Sequence, residues 1–438
     1  MSQSSPPDAT SPAPAPPDVT TLSRRSVVAA GTGNALEFYD FAIFASLTPV
    51  ISQLFFPAGD ALVAILSTLA LFAVGFVMRP VGAILFGRLA DRRGRRLPLA
   101  VAVLIMGVTT VLIGVMPTYD RAGVLAPLLL CVARLLQGLS VGGEFGTSAS
   151  FLVEHAPRRR RGLYGSYAFF SSTAGSVLGA FVVLLLTLSL SVDALNSWGW
   201  RVPFLLGFPL LAIGLYLRYR IAESPEFEKV EAENARARSP LRTLFREHWR
   251  AFLTVLGICL GFNIAAATLQ AFVLTYIRSV LGMSAVPALT TVVLSTTVGV
   301  VMVLLFGHLS DRYGRRPVLV LACVLSVVLP YPCLLIIGLG GFGSVLLGQL
   351  ILWVPVAAFG GAIPALFAAL FPTQVRVSGF GIAYGFGSAL FAGTTPFVAT
   401  LLIELSGERI APAWYMSAAG LVTLVVVLAS TSVRRAST

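Results

Sequence analysis

Phe86–Leu99 reads FGRLADRRGRRLPL, and Phe306–Leu319 reads FGHLSDRYGRRPVL. Nine of the fourteen positions are identical, and each copy joins one long apolar run to the next. In each copy the glycines, Gly87 and Gly94 or Gly307 and Gly314, permit a tight turn and close approach of another backbone. Asp91 and Asp311 are placed to cap the next backbone stretch or to pair with Arg92, Arg95, Arg312 and Arg315. One such segment would be a solvated basic loop. The same spacing used twice favours a latch between two equivalent halves of the chain.

The halves are apolar almost throughout. Of the 438 residues, 56% are hydrophobic and 11% charged, well below the roughly 25% charge of ordinary soluble domains. Runs long enough to cross a hydrocarbon layer of about 30 Å as helices recur along the sequence. Twelve are expected, near 27–50, 61–86, 97–117, 123–153, 162–190, 202–218, 251–280, 286–308, 317–337, 343–371, 377–404 and 411–431. The chain therefore divides into a disordered tail 1–23, a six-helix bundle 24–218, a charged linker 219–250, a second six-helix bundle 251–431 and a short tail 432–438. This is an all-α membrane fold of two pseudo-symmetric bundles. Internal repeats of this kind characterise secondary transporters, in which substrate binds between the halves near the midplane.

A net charge of +12 would suit nucleic-acid binding, but the basic residues sit at the ends of apolar runs. Placing Arg24, Arg25, Arg88–Arg96, Arg158–Arg161, Arg218–Arg250, Arg312–Arg316, Arg376, Arg434 and Arg435 on one side gathers nearly all of them. The positive-inside rule then puts both termini in the cytoplasm. The expected partners are the bilayer, protons and a small molecule, with no nucleic acid, and the expected state is a monomer. Cys131, Cys259, Cys323 and Cys333 lie inside apolar runs without a CxxC pair, so they read as packing residues. Neither a metal site nor a cofactor is expected. Arg24 and Arg25 could open a cleaved twin-arginine signal, but the next stretch contains Asn34, Glu37 and Asp40 and then continues apolar.

The repeated segment resembles the signature loop of the major facilitator superfamily. Within it the chain is similar to the metabolite/proton symporters, whose members include citrate, α-ketoglutarate, shikimate and proline/betaine permeases. The resemblance is carried by GNALEFYDF (Gly33–Phe41), FVMRPVG (Phe76–Gly82), RLLQGLSVGGEFG (Arg134–Gly146), WGWRVPF (Trp198–Phe204) and FPTQVRVSGFG (Phe371–Gly381). It implies alternating access and proton symport across a bacterial inner membrane.

A charge at the centre of a membrane helix costs about 2.5 to 3.5 kcal/mol, so each needs a partner or a purpose. Asn34, Glu37 and Asp40 share one face of the first span through three-residue spacing. Arg134 lies mid-way along the fourth span, followed by Gln137 and Glu144, and Arg79 lies in the second. A carboxylate beside an arginine in a poorly hydrated cavity can load and release a proton. Asp40 is the expected main carrier, with Glu37 and Glu144 as competitors and Arg134 as charge partner. The same residues would also serve as fixed ion pairs between helices. Arg79 and Arg134 suit bidentate carboxylate recognition. Asn34, Gln137, Gln270 and Arg278 complete the expected substrate contacts. Substrate choice is expected from the second half, around Gln270 and Arg278, and proton handling from the first. Arg201 reads as an interface anchor, and His155, His248 and His308 border the basic side, off the proton path. Gly142/Gly143 and Gly360/Gly361 read as short loops allowing tight helix contacts.

Competing readings fail on context. ATP-driven transport needs a GK[ST] loop, whereas the single lysine, Lys229, follows Glu228. Gly138–Gly142 fits GxSxG but lies inside a span. Gly338–Gly343 fits GxGxxG without a following acidic partner. No enzymatic role is expected. Drug antiporters of the same fold carry a Gly-Pro pair in span five, and no Gly-Pro occurs in this chain. For substrate, Thr275–Ala285 and Gly379–Gly407 are most similar to citrate and tricarboxylate members, and Gln137–Ser150 to α-ketoglutarate permeases. Proline/betaine members often extend into a C-terminal coiled coil, and this chain ends soon after its twelfth span. A di- or tricarboxylate is therefore the expected substrate, with a proline/betaine or shikimate-type solute as the alternative.

Overall fold

The computed structural model describes residues 24–56, 61–93, 96–142, 144–154, 156–219, 244, 246–372 and 376–436. The expected tail 1–23, most of the linker 219–250, and Gly94, Arg95, Gly143 and His155 lie outside the described residues. So do the surroundings of Gly87 and the side chains of Asp91 and Arg92; the backbone of all three is helical.

The apolar runs become helices because only intrachain hydrogen bonds satisfy a backbone in hydrocarbon. Nine helices among the described residues are long and apolar enough to cross a membrane: α2 (Leu62–Phe86), α4 (Leu125–Glu154), α5 (Arg158–Ser189), α6 (Val192–Tyr216), α7 (Trp249–Val280), α8 (Ala285–Tyr313), α10 (Phe342–Leu370), α11 (Arg376–Ser406) and α12 (Ala411–Ala429). Two more spans are bent pairs. α1 joins Gly31–Ser46 to Thr48–Phe55 at 68°, and α9 joins Arg315–Val328 to Pro330–Gly338 at 48°. Each second arm has a proline in its first turn, where a missing N–H costs little but the ring obstructs continuation of the preceding helix. The shorter apolar helix α3 (Ala100–Val115) completes the twelve.

The first bundle packs α1 on α5 and α2 on α4; the second packs α8 on α10 and α7 on α12. The α2–α4 crossing is close enough that a Cβ on Gly138 would strike the Gly75 carbonyl, the small-residue contact by which membrane helices approach. Leu85, Leu104, Leu112, Leu128, Leu185, Leu294, Leu305 and Val425 are exposed on the outer faces, as lipid contact requires. Across the interface between halves, α5 packs on α8 and α10, and α11 on α2 and α4.

Two local expectations are corrected. The repeated segment is mostly helix: α8 runs through Tyr313, and the turn is confined to Gly314 at φ +92°. Gly360 and Gly361 lie inside continuous α10, where Gly361 seats against the backbone at Phe306 and Gly307. A glycine pair in a membrane helix marks a close crossing as readily as a break.

Candidate functional site

Glu37 and Asp40 are buried on α1 at 2% and 0% exposure, yet their three-residue spacing sends them to different partners. Asp40 is enclosed by donors from two other helices. Arg134 Nη1 donates to its Oδ2 at 2.9 Å, Gln137 Nε2 to its Oδ1 at 3.0 Å, and the Thr110 hydroxyl to the same Oδ1 at 2.9 Å. Gln137 Nε2 also reaches Thr110 Oγ1 at 3.0 Å, and the Arg134 guanidinium lies 3.8 Å from the centroid of Phe44. This knot ties α1, α3 and α4 into one unit.

Glu37 is held more loosely. Arg79 Nη2 donates to its Oε1 at 2.9 Å, while Glu37 Oε2 and Arg79 Nε have no hydrogen-bond partner among the described residues. The guanidinium lies over Phe76 at 3.9 Å and Phe41 at 4.9 Å, contacts that help to hold a desolvated cation. Glu144 is buried nearby on α4, and Asn34 Nδ2 donates to Ser148 Oγ at 3.1 Å.

Between the halves lies a cavity lined by side chains of both. The first half contributes the rings of Phe38, Phe41, Phe72, Phe76 and Phe169, together with Arg79 and Ser176. The second contributes Phe262 and Tyr384 and the polar groups of Asn263, Gln270 and Ser388. Gln270 accepts from the Ser176 hydroxyl at 3.2 Å across the interface, and Asn263 Nδ2 has no partner among the described residues. Gln270 and Ser388 lie on π-helical turns of α7 and α11, Thr268–Phe272 and Ser388–Ala392. Such widened turns recur at functional sites.

Of the expected substrate contacts, Arg79 and Gln270 line this cavity. Arg134, Gln137 and Asn34 do not, because their polar atoms face other first-half side chains. Arg278 also lies outside the lining, half-buried on the last turn of α7. The charged and polar lining therefore comes from both halves, Arg79 from the first and Gln270 from the second. Among the described residues the lining has a single charged side chain, Arg79, and it comes from the first half.

At the end of the molecule carrying the repeated segment the halves are joined. Asp311 accepts from the backbone N–H of Gly162 at 2.6 Å and of Leu163 at 2.8 Å, capping the first turn of α5. The aspartate caps a helix of the opposite half, not its own next stretch. A Cβ on Gly162 would intrude on Ser310 and Asp311, so glycine is needed for the approach. Arg376 of α11 pairs with Glu154 of α4 at 3.2 Å. Arg315 Nη1 donates to the carbonyls of Ala365 at 3.1 Å and Ala436 at 3.3 Å, and exposed Arg312 lies 5.4 Å from the Tyr313 ring.

Sequence reasoning missed the aromatic lining, Asn263, Thr110 and the Glu154–Arg376 pair. Phe38 and Phe41 flank the acidic positions of α1 and gave some signal. Phe262, Tyr384 and Thr110 gave none, since phenylalanine, tyrosine and threonine are ordinary in membrane helices.

The major facilitator superfamily model matches residues 30–393. A glycine betaine/proline/ectoine/pipecolic acid transporter of Dickeya dadantii is 37% identical over 422 residues, covering 93% of this chain and 84% of that protein. A proline/betaine transporter of Escherichia coli K12 is 35% identical with the same coverage. Among solved structures, the E. coli xylose transporter in a partially occluded inward-open conformation aligns with a TM-score of 0.72 at 19% identity, over 92% of this chain and 96% of that one. A proton:xylose symporter bound to 6-bromo-6-deoxy-D-glucose aligns at 0.74 and 18% identity, over 91% and 94%. Fold, internal repeat and family match agree: this chain is a multi-pass membrane transporter belonging to the major facilitator superfamily.

Proposed function

We propose that this transporter carries a small zwitterionic solute of the proline/betaine kind, together with a proton, through the cavity between its halves. The observation carrying this reading is the cavity wall, in which one guanidinium already paired with Glu37 is set among seven aromatic rings. A quaternary or secondary ammonium is attracted to ring faces by about 0.5 to 2 kcal/mol each. The solute's single carboxylate matches the single arginine. A di- or tricarboxylate would bring two or three charges, while Arg134 is held by Asp40 and Arg278 is outside the lining. Each unmatched buried charge costs several kcal/mol. The names of the two transporter relatives support the same solute class.

Proton coupling rests on Glu37 and Asp40, buried carboxylates beside arginines. The basic residues gathered at one end of the spans support a bacterial inner membrane with both termini on its cytoplasmic side, where Asp311 and the Glu154–Arg376 pair would form the inner latch. The test is uptake into proteoliposomes of purified protein under an imposed proton gradient. Glycine betaine or proline should accumulate, and dissipating the gradient should abolish accumulation. Accumulation of citrate or α-ketoglutarate in preference to both would overturn the solute assignment.

A further inference from the structure

We propose that Glu37 is an internal stand-in for the substrate carboxylate, so that substrate binding at Arg79 and protonation of Glu37 are one exchange. The inference rests on the zwitterion reading. Arg79 lines the cavity, whereas Glu37 lies behind it and outside the lining. They share one hydrogen bond, leaving Glu37 Oε2 and Arg79 Nε without partners among the described residues. A guanidinium offers a carboxylate two parallel donors, and this pair uses one. An incoming carboxylate that takes Arg79 bidentately therefore competes on favourable terms. Asn263 Nδ2, an unpartnered donor on a residue buried at 3% exposure in the opposite wall, provides a further contact from the second half.

The groups around Glu37 set its protonation once Arg79 is engaged. On its own helix is Asp40, which is held by Arg134; α2 presents Arg79, α4 presents Glu144, and α11 presents Tyr384. With Arg79 turned to the substrate, the remaining titratable groups acting on Glu37 among the described residues are two carboxylates and a phenol. An ionised Glu37 would then be a desolvated anion without its cation, so it takes a proton from the side to which the cavity is open. Charge balances. The Arg79–Glu37 pair starts neutral, and the bound state holds arginine, a net-neutral zwitterion and a carboxylic acid, a gain of one positive charge supplied by the proton. Coupling thus arises from there being one cation for two carboxylates.

The test uses the purified full-length chain in weakly buffered detergent, measuring bound radiolabelled glycine betaine and, with a pH indicator, protons taken up. The wild type should take up about one proton per glycine betaine, and its Kd should rise about tenfold per pH unit where free Glu37 is ionised. Choline, which keeps the quaternary ammonium and lacks the carboxylate, should take up none. Glu37→Gln should bind glycine betaine with no proton uptake and a Kd independent of pH. Proton uptake with choline, or unchanged uptake in Glu37→Gln, overturns the exchange. Glycine betaine binding to the wild type without proton uptake also overturns it, while leaving the solute assignment standing. Failure of the wild type to bind either glycine betaine or proline, with citrate bound, overturns the solute assignment itself. The choline arm needs no variant, so a poorly folding Glu37→Gln does not remove the test.

Discussion

The two halves share a helix order and a repeated segment, but their interiors are chemically different. The first half buries Glu37, Asp40, Arg79, Arg134 and Glu144; among the described residues the second buries no charged side chain. Where the first half ties α1, α3 and α4 with a charged knot, the second ties α8 to α10 with a neutral one. Gln349 Nε2 donates to Thr291 Oγ1 at 3.0 Å and its Oε1 accepts from Ser295 at 2.6 Å. A duplicated scaffold can thus keep its packing while placing ionisable groups in one copy alone. The proposed consequence is that one half carries the proton chemistry and the other offers it a neutral wall.

The sharpest way to break this contrast is to unbalance the charged knot. Arg134→Met leaves Asp40 buried without its cation and should cost about 3 to 5 kcal/mol, read as thermal destabilisation in detergent. Combining it with Asp40→Leu should restore much of the stability while gradient-driven uptake stays lost. Recovery of coupled uptake in the double variant would remove Asp40 from the mechanism. The matching change in the second half, Gln349→Leu, should cost only about 1 to 2 kcal/mol and leave proton-to-substrate stoichiometry unchanged, because no charge is stranded. A change in stoichiometry would break the division between the halves.

A smaller effect is expected at the cavity. Phe76 supplies the ring nearest Arg79, and Phe76→Leu should raise the apparent KM for glycine betaine by about 2- to 30-fold, corresponding to about 0.5 to 2 kcal/mol of cation–π attraction. The smallest is expected at the latch. Asp311→Asn replaces a charged cap that accepts two amides, at a cost of about 1 kcal/mol. Hydrogen exchange at the Gly162 and Leu163 amides should accelerate about fivefold. Unaltered exchange would mean that the cap contributes nothing to holding the halves together.

The spans were legible because each needs only an uninterrupted apolar length, a local property of the chain. So was the rarity of Glu37, Asp40, Arg79 and Arg134, since a charge in an apolar run stands out whatever it touches. Their pairing was not. Glu37 and Asp40 share a helix face, yet one meets α2 and the other α3 and α4, which only the crossing of those helices decides. The proposed change of substrate from carboxylate to zwitterion turns on this step. Arg79 and Arg134 look alike in sequence, but the fold turns one toward the cavity and closes the other inside the first bundle.

From its sequence alone, then, this protein is a duplicated twelve-span membrane chain whose charges within the spans are concentrated in its first half. Hydrophobic length and the cost of burying charge act residue by residue and are written along the chain. The tertiary structure alone decided that seven aromatic rings from both halves line one cavity with a single guanidinium among the described residues, and that Asp311 caps a helix of the opposite bundle. Those relations join residues far apart in sequence, and aromatic rings in an apolar helix carry no mark of which face will turn inward.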